Sequence, residues 1–131
     1  MIMMMAVAAV AGPDSAVGRW MTETRHGVVD IARCGESVCG RLVDSDGIRA
    51  NPGLLDVNNK DAGLRTRPIK GVQILSGFTQ SGGQWTGGVI YNGEDGGTYR
   101  ATLTPIGTDR LKVRGCIVWP LCKTQTWTRI R

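Results

Sequence analysis

Apolar and polar residues alternate along most of the chain in short runs that end at Gly, Asn or Asp. In the run 98–106, Tyr99, Ala101 and Leu103 fall on one face, and Thr98, Arg100, Thr102 and Thr104 on the other. In 110–118, Leu111 and Val113 oppose Lys112 and Arg114, and in 84–92 Trp85, Gly87, Val89 and Tyr91 share a face. A period of two with one apolar side marks an antiparallel strand buried on one face only. Eight such runs can be placed: 17–23, 27–33, 38–44, 72–80, 84–92, 98–106, 110–118 and 124–131. No helical pattern of comparable length competes with them.

The breaks between runs carry turn chemistry. Asn92-Gly93-Glu94-Asp95-Gly96-Gly97 and Ser81-Gly82-Gly83 offer the positive φ angles that hairpins need, and Thr108-Asp109 starts another turn. The pattern predicts an all-β fold: an eight-stranded antiparallel up-and-down barrel, which removes its own edges. A two-sheet sandwich is the alternative. One connection, residues 45–71 between strands three and four, breaks the rhythm. Long structureless loops are uncommon in compact domains. This one is expected to hold a helical turn near Asp61–Leu64 and to lie over one end of the barrel, as a lid or as a plain surface excursion.

Composition narrows the picture. The 131 residues suit a single domain that buries about two thirds of its unfolded surface. Nineteen glycines argue against a helix bundle, and 41% hydrophobic with 21% charged residues fits neither a membrane bundle nor a disordered chain. The net charge of +5 is spread over single basic residues; only Arg65, Arg67 and Lys70 cluster, with Phe78 the one ring nearby. Nucleic-acid binding is therefore not expected.

The opening MIMMMAVAAVAG is apolar and ends in small residues. It is too short to span a bilayer, and it reads as the core and cleavage zone of an export signal, although a basic start is missing. Residues 1–13 are accordingly set apart from a single domain at 16–131, and no transmembrane segment is expected. The four cysteines form two near pairs without C-x-x-C spacing. Of the three pairings that four cysteines allow, local bonds Cys34–Cys39 and Cys116–Cys122 are preferred, because each pair brackets a turn-like stretch. Disulfides and an export signal together predict a periplasmic or secreted protein.

Three stretches together resemble a bacterial family known as domain of unknown function 2147. They are Gly18-Arg19-Trp20 followed by Cys34-Gly35-Glu36-Ser37-Val38-Cys39-Gly40; DVNNKDAGLRTRPIKG at 56–71; and WTGGVIYNGEDGGTYRATL at 85–103 with LKVRGC and TQTWTR. The resemblance covers residues 16–131, departing where Lys60 replaces a usual proline and where Gly93 breaks a Y-x-P pattern. It implies a small exported calycin barrel, related to lipocalins, that binds a small apolar molecule. The opening G-x-W at Gly18 and Trp20 is similar to the lipocalin start, and Arg129 resembles the basic residue of the last strand that packs across that tryptophan. Such a guanidinium on an indole would tie first strand to last.

Little in the chain points to catalysis. His26, the single histidine, stands in a turn-like ETRHG, and no G-x-S-x-G is present. Asp30 interrupts the apolar Val28, Val29 and Ile31 and is expected to pair with an arginine inside the barrel. The oxygen-rich 56–61 stretch lacks the glycine and glutamate of a calcium loop, so no metal or other cofactor is expected. Arg65 and Arg67 either guard a barrel mouth or pair with loop acids such as Asp61. The ligand-binding candidates are Trp85, Tyr91, Tyr99 and Trp127 on inward faces, with Arg67 at the mouth and a cavity beside Gly87 and Gly115. Those rings either fill the interior or line that cavity. The resulting expectation is a non-catalytic holder of a small hydrophobic or amphipathic molecule; the alternative is a rigid module that grips a cell-envelope partner.

Overall fold

A computed structural model describes residues 12–118 and 120–131. Residues 1–11, most of the segment expected to be an export signal, and Trp119 lie outside the described residues. Among the described residues nine strands form: β1 (Gly18–Met21), β2 (Val28–Cys34), β3 (Ser37–Asp44), β4 (Gln73–Ser76), β5 (Thr79–Ser81), β6 (Gln84–Asn92), β7 (Gly97–Ile106), β8 (Arg110–Val118) and β9 (Leu121–Arg129). All pairings are antiparallel, and the ring closes: β1 pairs with both β2 and β9, while β4 pairs with both β3 and β6. β4 and β5 both lie on β6, and they correspond to the single run 72–80, which bends at Gly77 (φ 78°). The closed barrel therefore has eight staves, as the alternation predicts, and the sandwich is ruled out.

The two ends of the barrel differ. At one end, a 3-10 turn over Pro13–Ala16 plugs the opening, with Ala16 fully buried. Trp20 Nε1 donates to Ala16 O at 2.8 Å and Trp85 Nε1 to Pro13 O at 2.9 Å. Arg129 lies over the Trp20 ring at 4.4 Å from its centroid, and its guanidinium donates to the carbonyls of Val17, Ser15 and Thr108. Trp20 and Arg129 are also register partners where β1 meets β9. A Cβ on Gly18, whose φ is +139°, would meet Arg129 Nη1 at 2.3 Å. Trp20, Trp85, Val29, Val38, Leu75, Leu103 and Leu111 form the core, none more than marginally exposed.

The 45–71 connection crosses the other end. It holds two short helical turns: α1 (Asp46–Ala50), capped by the Ser45 side chain on Ile48 N, and a 3-10 turn over Ala62–Leu64, capped by Asp61 on Gly63 N. The second is the turn expected near Asp61–Leu64. The first carries its own signal, a serine cap followed by Asp46 in the first turn.

The register shifts in four of the strand pairings, and two of these shifts bear on the sequence reading. The β6–β7 register shifts between Trp85 and Gly88, where Gly87 takes φ 69° and forms a bulge. The extra residue swaps the faces downstream, so Gly88 is buried while Gly87 and Val89 are exposed. Trp85, Gly87 and Val89 therefore do not share a face. The β2–β3 register shifts between Val28 and Val29, so both valines are buried and Asp30 is left outside. Asp30 pairs with Arg19 across β1–β2 at 2.6 Å on the exposed outer surface. The partner is an arginine as expected, but the pair is not inside the barrel.

Both disulfides are local, Cys34–Cys39 joining β2 to β3 and Cys116–Cys122 joining β8 to β9.

Candidate functional site

Following the strands from the plugged end fixes what surrounds the other. β1, β3, β6 and β8 run toward it, and β2, β4, β7 and β9 run away from it. The residues near that end leave a cavity of about 900 Å³. Its walls include Leu42, Ile74, Ile90, Val113 and Gly115 on the strands, and Leu54 and Ile69 on the long connection. Trp127, only 2% exposed, lies deepest along β9, and Tyr99 borders the cavity from β7. Gly115 leaves room there: a Cβ at this position would meet Ile90 at 3.5 Å, an ordinary contact. The interior is solid at the plugged end and hollow at the other.

The sequence candidates divide accordingly. Trp127, Tyr91, Tyr99 and Gly115 are brought together around the cavity. Trp85 is fully buried beside the plug and does not border the cavity, and Gly87 sits on the exposed bulge. Arg67 is not in the lining either. Its Nε donates to Asp56 at 3.0 Å, and its guanidinium lies 5.6 Å from the centroid of the Tyr91 ring.

Asp56 is the residue whose weight the sequence reading missed. Its side chain is buried, and it accepts from Tyr91 Oη at 2.6 Å, Asn59 Nδ2 at 2.9 Å and Arg67 Nε at 3.0 Å. Burial works against its charge, yet these three donors outweigh it and hold the carboxyl below the ordinary carboxylate range. Burial, and then the bond to Asp56, push the Tyr91 hydroxyl up to about 12. This cluster fastens the long connection to β6. Asn58 adds a second tie, donating from Nδ2 to the carbonyls of Gly93 and Glu94. Gly96 (φ 72°) permits the approach, since a Cβ there would stand 1.8 Å from Asn58 O. The two loops that depart from the family pattern, at Lys60 and Gly93, are thereby joined to each other. The available signal was the pairing of Asp56 with Arg67 across a loop that returns on itself, Leu55 bridging to Pro68.

The lining mixes apolar with polar side chains, among them Thr22, Thr24, Ser45, Asn58, Asn92 and Gln125. Trp127 Nε1 donates to Gln125 Oε1 at 3.0 Å, and Tyr99 Oη donates to Asp95 at 2.5 Å. Arg25 pairs with Glu94 at 3.0 Å. Lys123 borders the cavity and has no ion-pair partner among the described residues. Arg65 donates to Asn59 O rather than to Asp61. His26 stands exposed in its turn, outside the cavity, with Nδ1 3.0 Å from Asp46. Among the described residues no group of three or more His, Cys, Asp or Glu is placed to hold a metal, and no helix is long and apolar enough to cross a membrane.

A family model described as an uncharacterized protein conserved in bacteria (DUF2147) matches residues 18–129. Among solved structures, the chain is similar to a Helicobacter pylori protein, HP1028, described as belonging to the lipocalin family. The TM-score is 0.79 at 24% identity, over 88% of this chain and 82% of that one. No curated protein matches. The structural likeness shows that the two chains share the closed antiparallel barrel.

Proposed function

The chain belongs to the DUF2147 family of bacterial proteins, and from that premise we propose that it binds a small hydrophobic or amphipathic molecule in its barrel and catalyses no reaction. The carrying observation is the half-hollow interior. About 900 Å³ of space, walled by aliphatic side chains on the strands and bordered by polar and charged side chains, falls in the size range of small-molecule sites. The ligand set is Trp127, Tyr91 and Tyr99 from the sequence candidates, joined by Ile74, Ile90 and Val113. Arg67 supports Tyr91 from behind and Trp85 belongs to the base. A purely mechanical module would gain nothing from leaving this space unfilled, since packing it would stabilise the fold. Two disulfides support a periplasmic or secreted setting.

The test is a titration of the purified protein with 1-anilinonaphthalene-8-sulfonate, followed by displacement with dodecanoate. Saturable binding is expected, weakened by about tenfold or more in Gly115→Leu, whose side chain would occupy the cavity. No saturable binding, or equal affinity in the variant, overturns the reading.

A further inference from the structure

Alternate residues of β9 face the hollow: Trp127 at its depth, Gln125 above it and Lys123 at the rim. Their register partners on β8 are Leu111, Val113 and Gly115, and directly opposed residues of an antiparallel pair share a face. Leu111 and Val113 are buried, so that face is the inner one. Lys123 therefore stands opposite a residue with no side chain. A Cβ on Gly115 would meet its neighbours only at 3.5–3.9 Å, which leaves open space beside the lysine.

Two groups on this inner face have donors to spare. An indole N–H can only donate, so the Gln125 oxygen must face Trp127 Nε1, 3.0 Å away. The Gln125 amide nitrogen then keeps its N–H groups without a partner among the described residues. The Lys123 side chain makes no ion pair or hydrogen bond to any described residue. The other charged groups that border the cavity are engaged. Arg25 pairs with Glu94 at 3.0 Å. Asp95 keeps its charge, but both its oxygens are turned to its own hairpin, Oδ1 accepting from Gly97 N at 2.7 Å and Oδ2 from Tyr99 Oη at 2.5 Å. Glu23 is bonded to Thr126 N and is not in the lining.

Resting on the ligand-binding reading above, we propose that the barrel selects a singly charged anionic amphiphile, an alkyl carboxylate or its sulfonate analogue, and holds it head-up. The head accepts from Lys123 Nζ and the Gln125 amide at the rim, and the chain runs down β9 toward Trp127. Lys123 and Trp127 lie about 13 Å apart along the strand, which is room for an alkyl chain. Hydrogen bonds from an ammonium to an anionic head are stronger than neutral ones. The chain meanwhile leaves water for Ile90, Val113 and Trp127. The reverse orientation would set the charge against Val113 and Trp127, whose one N–H is already spent on Gln125. A doubly charged phosphate monoester would find a single unpaired cation.

The test is displacement of a neutral probe, N-phenyl-1-naphthylamine, from the full chain at about pH 8, where a carboxylate is ionised and a lysine protonated. Three ligands of equal chain length compete: dodecanoate, 1-dodecanol and dodecyltrimethylammonium. Dodecanoate is expected to bind about fivefold tighter than dodecanol, with the cation weakest. Lys123→Gln should lower dodecanoate affinity by that factor and bring it level with dodecanol, and Lys123→Glu should turn the preference toward the cation. Lys112→Gln removes the same charge from the outer face of β8, opposite Thr104 and Thr126, and should leave the preference as it is. Lys123 is exposed, and unfolding curves check that each variant is folded. Equal binding of dodecanoate and dodecanol by the native chain overturns the headgroup inference, as does a preference that survives Lys123→Gln or is lost equally in Lys112→Gln. Each of these outcomes leaves the cavity reading standing, because dodecanol and the neutral probe report the cavity without a charge. Failure of the probe and of all three ligands to bind overturns both.

Discussion

Replacing Arg129 with leucine isolates the closure of the barrel. In the folded chain its guanidinium donates to Val17 O at 2.9 Å, Ser15 O at 2.5 Å and Thr108 O at 2.6 Å, and it stacks on the fully buried Trp20. Hydrogen bonds from a charged group contribute about 1.5–3 kcal/mol each when shielded. The Thr108 bond is exposed, so the two part-buried bonds carry the weight, roughly 3–6 kcal/mol before coupling between them. The cation–π contact adds ~0.5–2 kcal/mol. Leucine restores some apolar contact with Trp20 but leaves the Val17 and Ser15 carbonyls without that donor. The expected net loss is about 3–5 kcal/mol. Lysine should recover only part of it, because an ammonium cannot reach three carbonyls in a fork. Guanidinium unfolding followed by tryptophan fluorescence measures the loss directly, and a fall in Tm of roughly 10–20 °C should accompany it. A loss below about 1 kcal/mol in Arg129→Leu would refute the claim that this residue ties the plug and the first strand to the last.

Asp56 and Tyr91 predict opposite limbs of a stability-against-pH curve. The folded-state pKa of Asp56 is lowered, so its contribution is complete above the ordinary carboxylate value near ~3.9 and fades as pH falls through the folded value. Asp56→Asn should flatten that acid limb in urea melts. For Tyr91, raised to about 12, the contribution is complete below ~10 and is lost as pH climbs from there to about 12, so Tyr91→Phe should remove that alkaline loss. Trp127→Ala, at a position 2% exposed, should destabilise by ~3–5 kcal/mol in the same melts. Alkylation and mass spectrometry of the oxidised protein should find no free thiol, and opening either short loop, Cys34–Cys39 or Cys116–Cys122, should cost roughly 2 kcal/mol.

The barrel was legible because its signals are local. Alternation located the strands, hairpin glycines located the turns, and Trp20 with Arg129 announced the closure. What the pattern could not locate were single-residue slips. An extra residue at Gly87 costs nothing in composition, yet it exposes Val89. The shift at Val28–Val29 likewise turned Asp30 outward. A period-two reading assumes perfect registry, and only the partner strand reports where registry changes. Trp127, Tyr91 and Tyr99 were identifiable as cavity candidates because strand position and ring size suffice for that. Trp85 was not separable from them, because depth along the barrel depends on which end is plugged. That in turn rests on Pro13–Ala16, residues at or outside the edge of the expected domain. Arg67 was misplaced for an electrostatic reason: a buried carboxylate at Asp56 requires donors, and the need becomes visible only once burial is known.

Methyl chemical shifts of the isotope-labelled protein, followed during titration with dodecanoate, test the central claim most directly. Binding in the hollow half should move the methyls of Ile74, Ile90 and Val113, which line the cavity, and leave those of Val29, Val38 and Leu103 in the packed base unmoved. Shifts confined to Ile117, Val118 and Leu121 outside, or no saturable shift at all, would contradict a ligand held within the barrel.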